Sequence, residues 1–477
     1  MLCALHAIAL ASPRSDPTQG RAAFTGAATP NPTSIELNPA ALGLGVTDEI
    51  YLAATGVWNR ISIARRTLDI DSGALGDSDD VSANLMSPGG MIAGVWHSGV
   101  NGRITLGIAL HSSPAEQFIE GEEALRYHTL GGSHRTYAGS VAGSVRILSR
   151  LYAGVTVSVS PSFLKLRYAR DTALDAARDP ARGIGSDCGG APCGVENPAA
   201  TERYSVDVQS DWTDVVGTIG IVVRLARDTW LGVSYHTSPA LAVQNEMVGT
   251  MQVDRAPRDG GGTVTGGATV YLSNPASFDV ELRSRLTPDI DLHAGARLED
   301  LSRLERYDVR GYGSFFPAAG IPEWQPRQRG FQDVLEPFPF SIATWAGIDQ
   351  IERDFPLIFG GRIGFETSSL PDDRTSPMTI APLSGTVDVG LQYRFTRDVQ
   401  FAPQVVLQLN YGVQYFPTVD VSESSFDPRD RLACYDAGYD YSSPACAGVR
   451  NGYAIPTAAG EYARLQQAGR IALRLTW

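Results

Sequence analysis

The chain has 477 residues and a formal net charge of −13, with 39 Lys and Arg against 52 Asp and Glu. This acidity, without any long basic run, argues against a nucleic-acid-binding protein, which needs a cationic surface to neutralise phosphates. The mean hydropathy is −0.10, and no apolar run reaches the roughly 18 residues of a transmembrane helix, so a helical membrane protein is disfavoured while a membrane β-barrel is allowed.

The N-terminal residues form a short apolar stretch that ends in Ala9-Leu10-Ala11. This small-x-small pattern is typical of a signal-peptidase site. The stretch is short and has no Lys or Arg before it, so we expect a longer signal peptide upstream. We therefore interpret residues 1–11 as a truncated signal peptide and predict export.

Residues 12–46 are rich in small side chains and include the stretch SIELNPAALGLG, in which Asn38, Pro39 and Ala40 form an Asn-Pro-Ala motif. A residue before Pro is pushed toward extended backbone, and Asn and Pro both favour tight turns. The stretch predicts a compact coil whose backbone polar groups need partners elsewhere in the protein. An exported linker is the alternative interpretation.

From Glu49 to the C-terminus, apolar and polar residues alternate with period two. In one example, Val389 and Leu391 lie on one face and Asp388 and Gln392 on the other. A helix would scatter such residues around its axis, so the pattern predicts strands. The predicted strands number about fourteen and cover residues 49–66, 90–98, 102–112, 134–148, 151–170, 203–227, 229–256, 263–286, 289–311, 340–350, 355–369, 383–396, 399–417 and 466–477.

A soluble β-sandwich also alternates, so further features must decide which face is buried. The predicted strands are longer than the usual 5–6 or so residues of soluble sheets. Aromatic residues lie at strand ends, and the chain ends within a strand on Trp477. These features favour an all-β protein, a membrane-spanning antiparallel barrel with apolar residues facing lipid and polar residues facing the lumen. Its longer outward loops are expected at 171–202, 312–339 and 418–465.

Four cysteines form two local pairs in loops rich in Gly, Ala, Pro and Asp: Cys188 with Cys193, and Cys434 with Cys446. A metal site is the alternative, but no second pair or His with zinc-ligand spacing accompanies either pair. In an exported protein the pairs predict two disulfides, Cys188–Cys193 and Cys434–Cys446.

No catalytic motif is present: the sequence contains no GxSxG, no HExxH and no nucleotide-binding loop. His293 lies near Asp291 and Arg297 on the same predicted inward face. This position indicates a hydrogen-bonding residue of the lumen rather than a general base. We therefore predict a protein that is not an enzyme and that uses no cofactor and no metal.

Several blocks of the sequence resemble the FadL-type outer-membrane transporters of long-chain fatty acids and other hydrophobic compounds. The blocks are GRAAFTGAATPNPTSIELNPAAL near the N-terminus, NPASFDVELRSRLTPDIDLHAGARLEDLSRLERYDV, and GRIGFETSSLPDDRTSPMTIAPLSGTVDVGLQYRF. Members of this family form a fourteen-stranded barrel closed by an N-terminal hatch. The resemblance implies a hatch at residues 12–46 and a barrel at 47–477, with hatch or gating residues Gly20, Arg21, Asn38, Pro39 and Ala40.

The resemblance also implies passive uptake of fatty acids or hydrocarbons across the bacterial outer membrane. Phe315, Phe316, Ile321 and Trp324 lie in a predicted outer loop, where apolar side chains suit capture of a hydrophobic ligand. The implied partners are hydrophobic small molecules, outer-membrane lipid and lipopolysaccharide, and the outer-membrane assembly machinery, but no nucleic acid, and the protein is expected to be a monomer. The alternative is a porin-like or structural barrel without hydrophobic specificity.

Overall fold

The computed structural model describes residues 22–69, 71–98, 103–175, 183–210, 215–237, 245–272, 275–301, 308–312, 339–351, 356–378, 380–395, 403–424, 433, 443–444 and 456–477. In chain order its helices and strands are α1 (Ser34–Leu37), β1 (Glu49–Leu68), β2 (Leu75–Ser98), β3 (Ile104–Ser112), β4 (Glu116–Phe118), β5 (Gly131–Leu148), β6 (Leu151–Val159), β7 (Ser162–Asp171), α2 (Thr172–Asp175), β8 (Thr201–Ser210), β9 (Val215–Ala226), β10 (Thr229–His236), β11 (Asn245–Asp254), β12 (Thr263–Leu272), β13 (Ala276–Thr287), β14 (Ile290–Asp300), β15 (Asp308–Tyr312), β16 (Phe340–Gln350), β17 (Leu357–Glu366), β18 (Ser384–Arg394), β19 (Gln404–Val421) and β20 (Gly460–Thr476). No helix among these described residues is long and apolar enough to cross a membrane.

Fourteen of the strands form one closed antiparallel barrel. Its circular order is β1, β2, β3, β5, β6, β9, β10, β13, β14, β16, β17, β18, β19 and β20, and β20 pairs back onto β1 from Glu49 opposite Thr476 to Arg65 opposite Gly460. Closure removes the free edges that a membrane could not satisfy. The predicted barrel of about fourteen strands is confirmed.

The exterior of the barrel is apolar at the level where all fourteen strands pair. Each strand exposes at least one large apolar side chain there, and examples in barrel order are Ile50, Ile92, Leu110, Val141, Val155, Ile219, Tyr235, Leu282, Leu292, Ile348, Ile363, Val387, Leu409 and Ile471. A soluble sandwich would bury these residues against a second sheet. The apolar belt is therefore the surface of a membrane-spanning barrel.

A second sheet continues several strands beyond this belt. It runs from β4 through the first residues of β5 to β7, β8, β11, β12 and β15. Here the outward side chains are polar, as at Lys165 and Asp207, while the inward ones are apolar, as at Leu166 and Val206. The second sheet thus stands outside the lipid, at the outer mouth of the barrel.

The predicted strand ends were wrong where strands leave the apolar belt. β2 begins at Leu75 rather than residue 90, and β20 begins at Gly460 rather than residue 466. In the outer half of β2, Asp80 and Ser82 face outward and Val81 faces inward. The pattern there is the reverse of that of a lipid-facing strand, so alternation with apolar outward residues predicts a strand that is too short.

The C-terminal residue lies where the barrel closes. The N–H of Trp477 donates to the carbonyl oxygen of Asp48 at 3.1 Å, and its ring is about half exposed on the exterior.

Deleting Trp477 should therefore lower the yield of folded barrel, because it removes the last closing hydrogen bond and an aromatic anchor, whereas Trp477→Phe should retain assembly. Heat-modifiable migration in gels measures the folded fraction, and an undiminished fraction after the deletion would contradict this expectation.

Candidate functional site

Residues 22–45, which we call the N-terminal segment, lie across the lumen. The segment contains α1 and a 3-10 turn over Pro39–Leu44, and most of its side chains are buried. Its described hydrogen bonds reach strands from most of the circumference, including β5, β6, β10, β13, β16, β18 and β19. The segment therefore extends across the barrel between opposite parts of the wall.

Asn38 organises the Asn-Pro-Ala motif. Its Oδ1 accepts a hydrogen bond from the N–H of Ala40 at 3.1 Å, which caps the 3-10 turn, and Pro39 suits the first position of that turn. Its Nδ2 lies 2.7 Å from the carbonyl oxygen of Ala27 and 3.3 Å from that of Ile221 in β9. One side chain thus joins two parts of the N-terminal segment to the wall.

Three buried wall carboxylates accept hydrogen bonds from backbone N–H groups of the N-terminal segment. The pairs are Asp388 with Ala23 at 2.8 Å, Asp349 with Phe24 at 3.1 Å, and Glu281 with Ala27 at 2.9 Å. Hydrogen bonds to charged groups contribute about 1.5–3 kcal/mol each. These three bonds hold the start of the described segment to β13, β16 and β18.

Two further side chains bind the same carboxylates from the wall. His293, almost fully buried, places Nδ1 3.0 Å from Glu281 and Nε2 3.2 Å from Asp349. Arg362 donates to both oxygens of Asp349 at 2.8 and 2.7 Å. The prediction that His293 is a hydrogen-bonding residue of the lumen is confirmed.

On the other side of the lumen the charge relationship is inverted, because the carboxylate belongs to the N-terminal segment. Glu36 lies 3.1 Å from Nε2 of His111 in β3 and accepts a hydrogen bond from Ser140 in β5. The carbonyl oxygen of Leu37 accepts from Ser234 at 2.6 Å. Polar anchors therefore surround the segment.

Inward-facing glycines of the wall make room for the N-terminal segment. A Cβ atom at Gly220 would lie 1.8 Å from Oδ1 of Asn38, and one at Gly154 would lie 2.4 Å from the nitrogen of Ala40. A Cβ at Gly232 would lie 2.2 Å from the carbonyl oxygen of Ala27. Any larger residue at these positions would overlap with the segment.

Above the N-terminal segment the lumen changes from polar to apolar. A middle level carries ion pairs such as Arg297 with Asp279 at 2.7 Å. Toward the mouth the interior is apolar, with Ile61 and Ile63 of β1 in one buried cluster and the inward residues of the second sheet in another. The prediction of a polar lumen is thus right for the middle level and wrong at the mouth, because side chains there face a covered interior.

Arg65 joins separate loops at the mouth. Its guanidinium, 2% exposed, pairs with both oxygens of Glu196 and donates to the carbonyl oxygens of Ala124 at 2.9 Å and Thr457 at 3.1 Å. Glu196 in turn donates its N–H to Asp171 at 2.7 Å. The loop over residues 183–200 is therefore fastened over the mouth.

The structure locates some of the predicted site residues. Asn38, Pro39 and Ala40 lie in the lumen against β6 and β9, and Cys188 and Cys193 are joined in a disulfide in the loop over residues 183–200. The others lie outside the described residues and stay predictions: Gly20, Arg21, Phe315, Phe316, Ile321, Trp324, Cys434 and Cys446. No group of three potential metal ligands occurs within the ranges given above.

The sequence interpretation did not identify the anchors Glu36, Asp349 and Asp388. A usable signal was present in the strands, because glycines at inward positions such as Gly154 and Gly220 mark places where another backbone approaches the sheet.

Gly220→Val should open the lumen, because the added side chain occupies the position of the Asn38 amide. The matched control is Gly143→Val, since a Cβ at Gly143 meets no atom within 4 Å and its strand neighbours Leu106 and Val155 face outward. Single-channel conductance in planar bilayers should rise for Gly220→Val alone. Equal conductance of the two folded variants would show that close contact between Gly220 and the N-terminal segment is not needed to keep the lumen closed.

The loop over residues 183–200 should loosen as the pH rises. Burial raises the pKa of the Asp171 carboxyl from 3.8 to about 6, and the nearby Glu196 carboxylate adds to the rise. The protonated form is therefore favoured in the folded loop, and its contribution, present below the unfolded pKa, is lost as the pH passes through 6; the full change is about 3 kcal/mol. Hydrogen exchange of the loop, corrected for intrinsic rates, should show falling protection from pH 4.5 to 7.5. Asp171→Asn should flatten this profile, and protection that rises with pH in the wild type would refute the assignment.

No protein-family model and no curated protein matches the sequence. Solved structures match over nearly the whole chain. A FadL homologue of Pseudomonas aeruginosa is 14% identical, with 97% of both chains covered and a TM-score of 0.70. The toluene transporter TodX of Pseudomonas putida is 12% identical, covering 98% of this chain and 97% of that one, with a TM-score of 0.59. The toluene transporter TbuX of Ralstonia pickettii is 14% identical, with 98% of both chains covered and a TM-score of 0.57.

The matched regions include both the barrel and the N-terminal segment. Because the sequence identities are low, the similarity establishes the fold alone. The chain therefore has the fold of the FadL-type barrels.

Proposed function

We propose that this protein belongs to the FadL-type family and takes up hydrophobic compounds passively across the bacterial outer membrane. The carrying observation is the N-terminal segment, which lies across the lumen and is held there by hydrogen bonds to wall carboxylates and by apolar contacts of Ile35 and Leu42 with the wall. Residues 12–46 would act as the hatch, with Asn38, Pro39 and Ala40 at its centre. The proposed substrates are long-chain fatty acids or hydrocarbons, the latter suggested by the toluene transporters TodX and TbuX.

The apolar character of the mouth supports the proposal that the ligand is hydrophobic. Buried Leu, Val, Met and Tyr side chains line the inner face of the second sheet, and the rings of Tyr168 and Tyr204 stack at 5.1 Å. A pocket for an apolar compound is expected to consist largely of such side chains with few polar groups. Phe315, Phe316, Ile321 and Trp324 would extend this surface in the outer loop.

A porin-like barrel is the second candidate. It is favoured by the polar side chains in the middle of the lumen. Arg297 and Asp279 form a buried ion pair there, and Gln414 donates to Glu366 at 3.0 Å. Such groups suit small polar solutes better than apolar ones. The two candidates differ in whether the N-terminal segment closes the path.

Deleting residues 20–44 should convert the protein into a conducting pore, because the carboxylates and glycines that held the segment would then face water. Uptake of a long-chain acid or hydrocarbon should fail or lose selectivity, since an apolar solute gains nothing in a wet polar pore. Single-channel conductance and ligand uptake into cells measure the two effects. A porin-like wild-type conductance that the deletion leaves unchanged would reject the transporter and favour the sieve.

A smaller change provides a matched comparison. Asn38→Ala with Pro39→Ala should raise conductance in part, because it removes the cap and the bond to β9. Asn197 and Pro198 repeat the motif in the mouth loop, where Asn197 Oδ1 accepts from Ala199 at 2.9 Å outside the lumen. Asn197→Ala with Pro198→Ala removes the same local cap and should leave conductance at the wild-type level.

A further inference from the structure

The loop between β17 and β18, residues 367–383, enters the mouth of the barrel; we call it the crossing loop. Its Leu370 and Met378 are buried in the apolar cluster formed by β7, β8, β11, β12 and β15. Its Ile380 is buried in a different cluster, with residues of β1, β2, β19 and β20. β7 pairs with the outer part of β5, and β5 stands half-way round the barrel from β17 in the circular order given above, so the loop spans the mouth from inside.

Several backbone groups of the crossing loop form hydrogen bonds within the loop itself. The N–H of Ser369 donates to Ala381 at 3.3 Å, which closes the neck of the loop, and Ser368 donates its hydroxyl to the same carbonyl at 3.2 Å. At the tip, the N–H of Arg374 donates to Pro371 at 3.0 Å. From the wall, Arg464 donates to the carbonyl oxygen of Ile380 at 3.2 Å. The bonds at the neck and the tip are internal to the loop and can persist if it is displaced, whereas the bond from Arg464 would have to break.

The place that Leu370 and Met378 occupy has the character of a ligand site. Its surroundings in the cluster include Leu166, Val206 and Met251, all buried and apolar, and the stacked pair of Tyr168 and Tyr204. Methionine side chains adapt to differently shaped neighbours, and a stacked tyrosine pair offers an aromatic face. The site therefore suits a neutral aromatic or aliphatic molecule about the size of the two side chains.

We propose that Leu370 and Met378 are a tethered occupant of an apolar binding site on the inner face of the second sheet. An incoming apolar molecule of similar size takes their place, and the displaced crossing loop opens the mouth. Burial of each side chain is worth about tenfold to a hundredfold in an equilibrium constant, a range that a small apolar ligand can match. This inference rests on the proposed uptake of hydrophobic compounds and adds the site where such a compound is first exchanged.

Limited trypsin cleavage after Arg374, at the tip of the crossing loop, reports its position in the full-length protein. Naphthalene is the apolar probe and glucose the polar control, and Arg374→Gln identifies the fragment. In the wild type, saturating naphthalene should raise the cleavage rate about tenfold, whereas glucose should not. Cleavage after Arg258, in the turn between β11 and β12, should stay constant and serves as the internal control.

Variants separate displacement from general loosening. Leu370→Ala with Met378→Ala should cleave at least about tenfold faster without naphthalene and respond little to its addition. Met378→Leu keeps most of the buried volume and should behave as the wild type. Heat-modifiable migration verifies that each variant is folded.

Cleavage after Arg374 that does not respond to naphthalene in the wild type would overturn the proposal, as would a folded double Ala variant that cleaves at the wild-type rate. If the wild type nevertheless takes up naphthalene into cells, the failure is confined to the crossing loop. If uptake is also absent, the proposed transport function fails with it.

Discussion

The pairing of β20 with β1 is the interaction on which the rest of the structure depends. It closes the sheet, so that at the level of the lipid no backbone edge faces hydrocarbon. Closure also divides the side chains of each strand into an outward and an inward set. Because the outward set is apolar, the buried charges of these strands are left in the lumen, where each needs a partner. The N-terminal segment supplies partners through its backbone N–H groups, so barrel and segment satisfy one another.

The sequence predicted the strands well within the apolar belt, where lipid imposes one rule on the outward face. Beyond the belt that rule ends, because water is outside and covered apolar surface is inside. β1 shows the change within a single strand: Leu52 and Trp58 face outward in the belt, whereas Arg60 faces outward beyond it. The outer part of β2 was missed for this reason. Several long predicted strands, such as 203–227, are two strands in the structure, one in the second sheet and one in the barrel. The alternation does not mark where one ends and the next begins.

The site was predictable only in its local part. Asn-Pro-Ala occurs three times in the sequence, at residues 38–40, 197–199 and 274–276, and at Asn38 and Asn197 it forms the same cap of a 3-10 turn. What distinguishes Asn38 is its contact with β9, which no local pattern encodes. The carboxylates that hold the segment lie 254, 325 and 365 residues from their partners. The alternation of polar and apolar residues indicated that charges such as Glu281 face the lumen, and the inward glycines indicated where the segment approaches the wall.

The two ends of the lumen are held by different forces and so respond to different chemistry. The crossing loop packs at the mouth through Leu370, Met378 and Ile380, and contacts of this kind are weakened by any apolar molecule that offers equivalent burial. The N-terminal segment also packs against the wall through apolar residues such as Ile35 and Leu42, but it is bound in addition by charged hydrogen bonds, which an apolar molecule cannot replace but water can. Under the proposed function, an apolar compound that arrives from outside would act on the mouth first, and movement of the segment would require that water reach Glu281, Asp349 and Asp388. On this account, ligand exchange at the mouth and hydration of the carboxylates are separate steps, so the lumen need not be open at both ends at once.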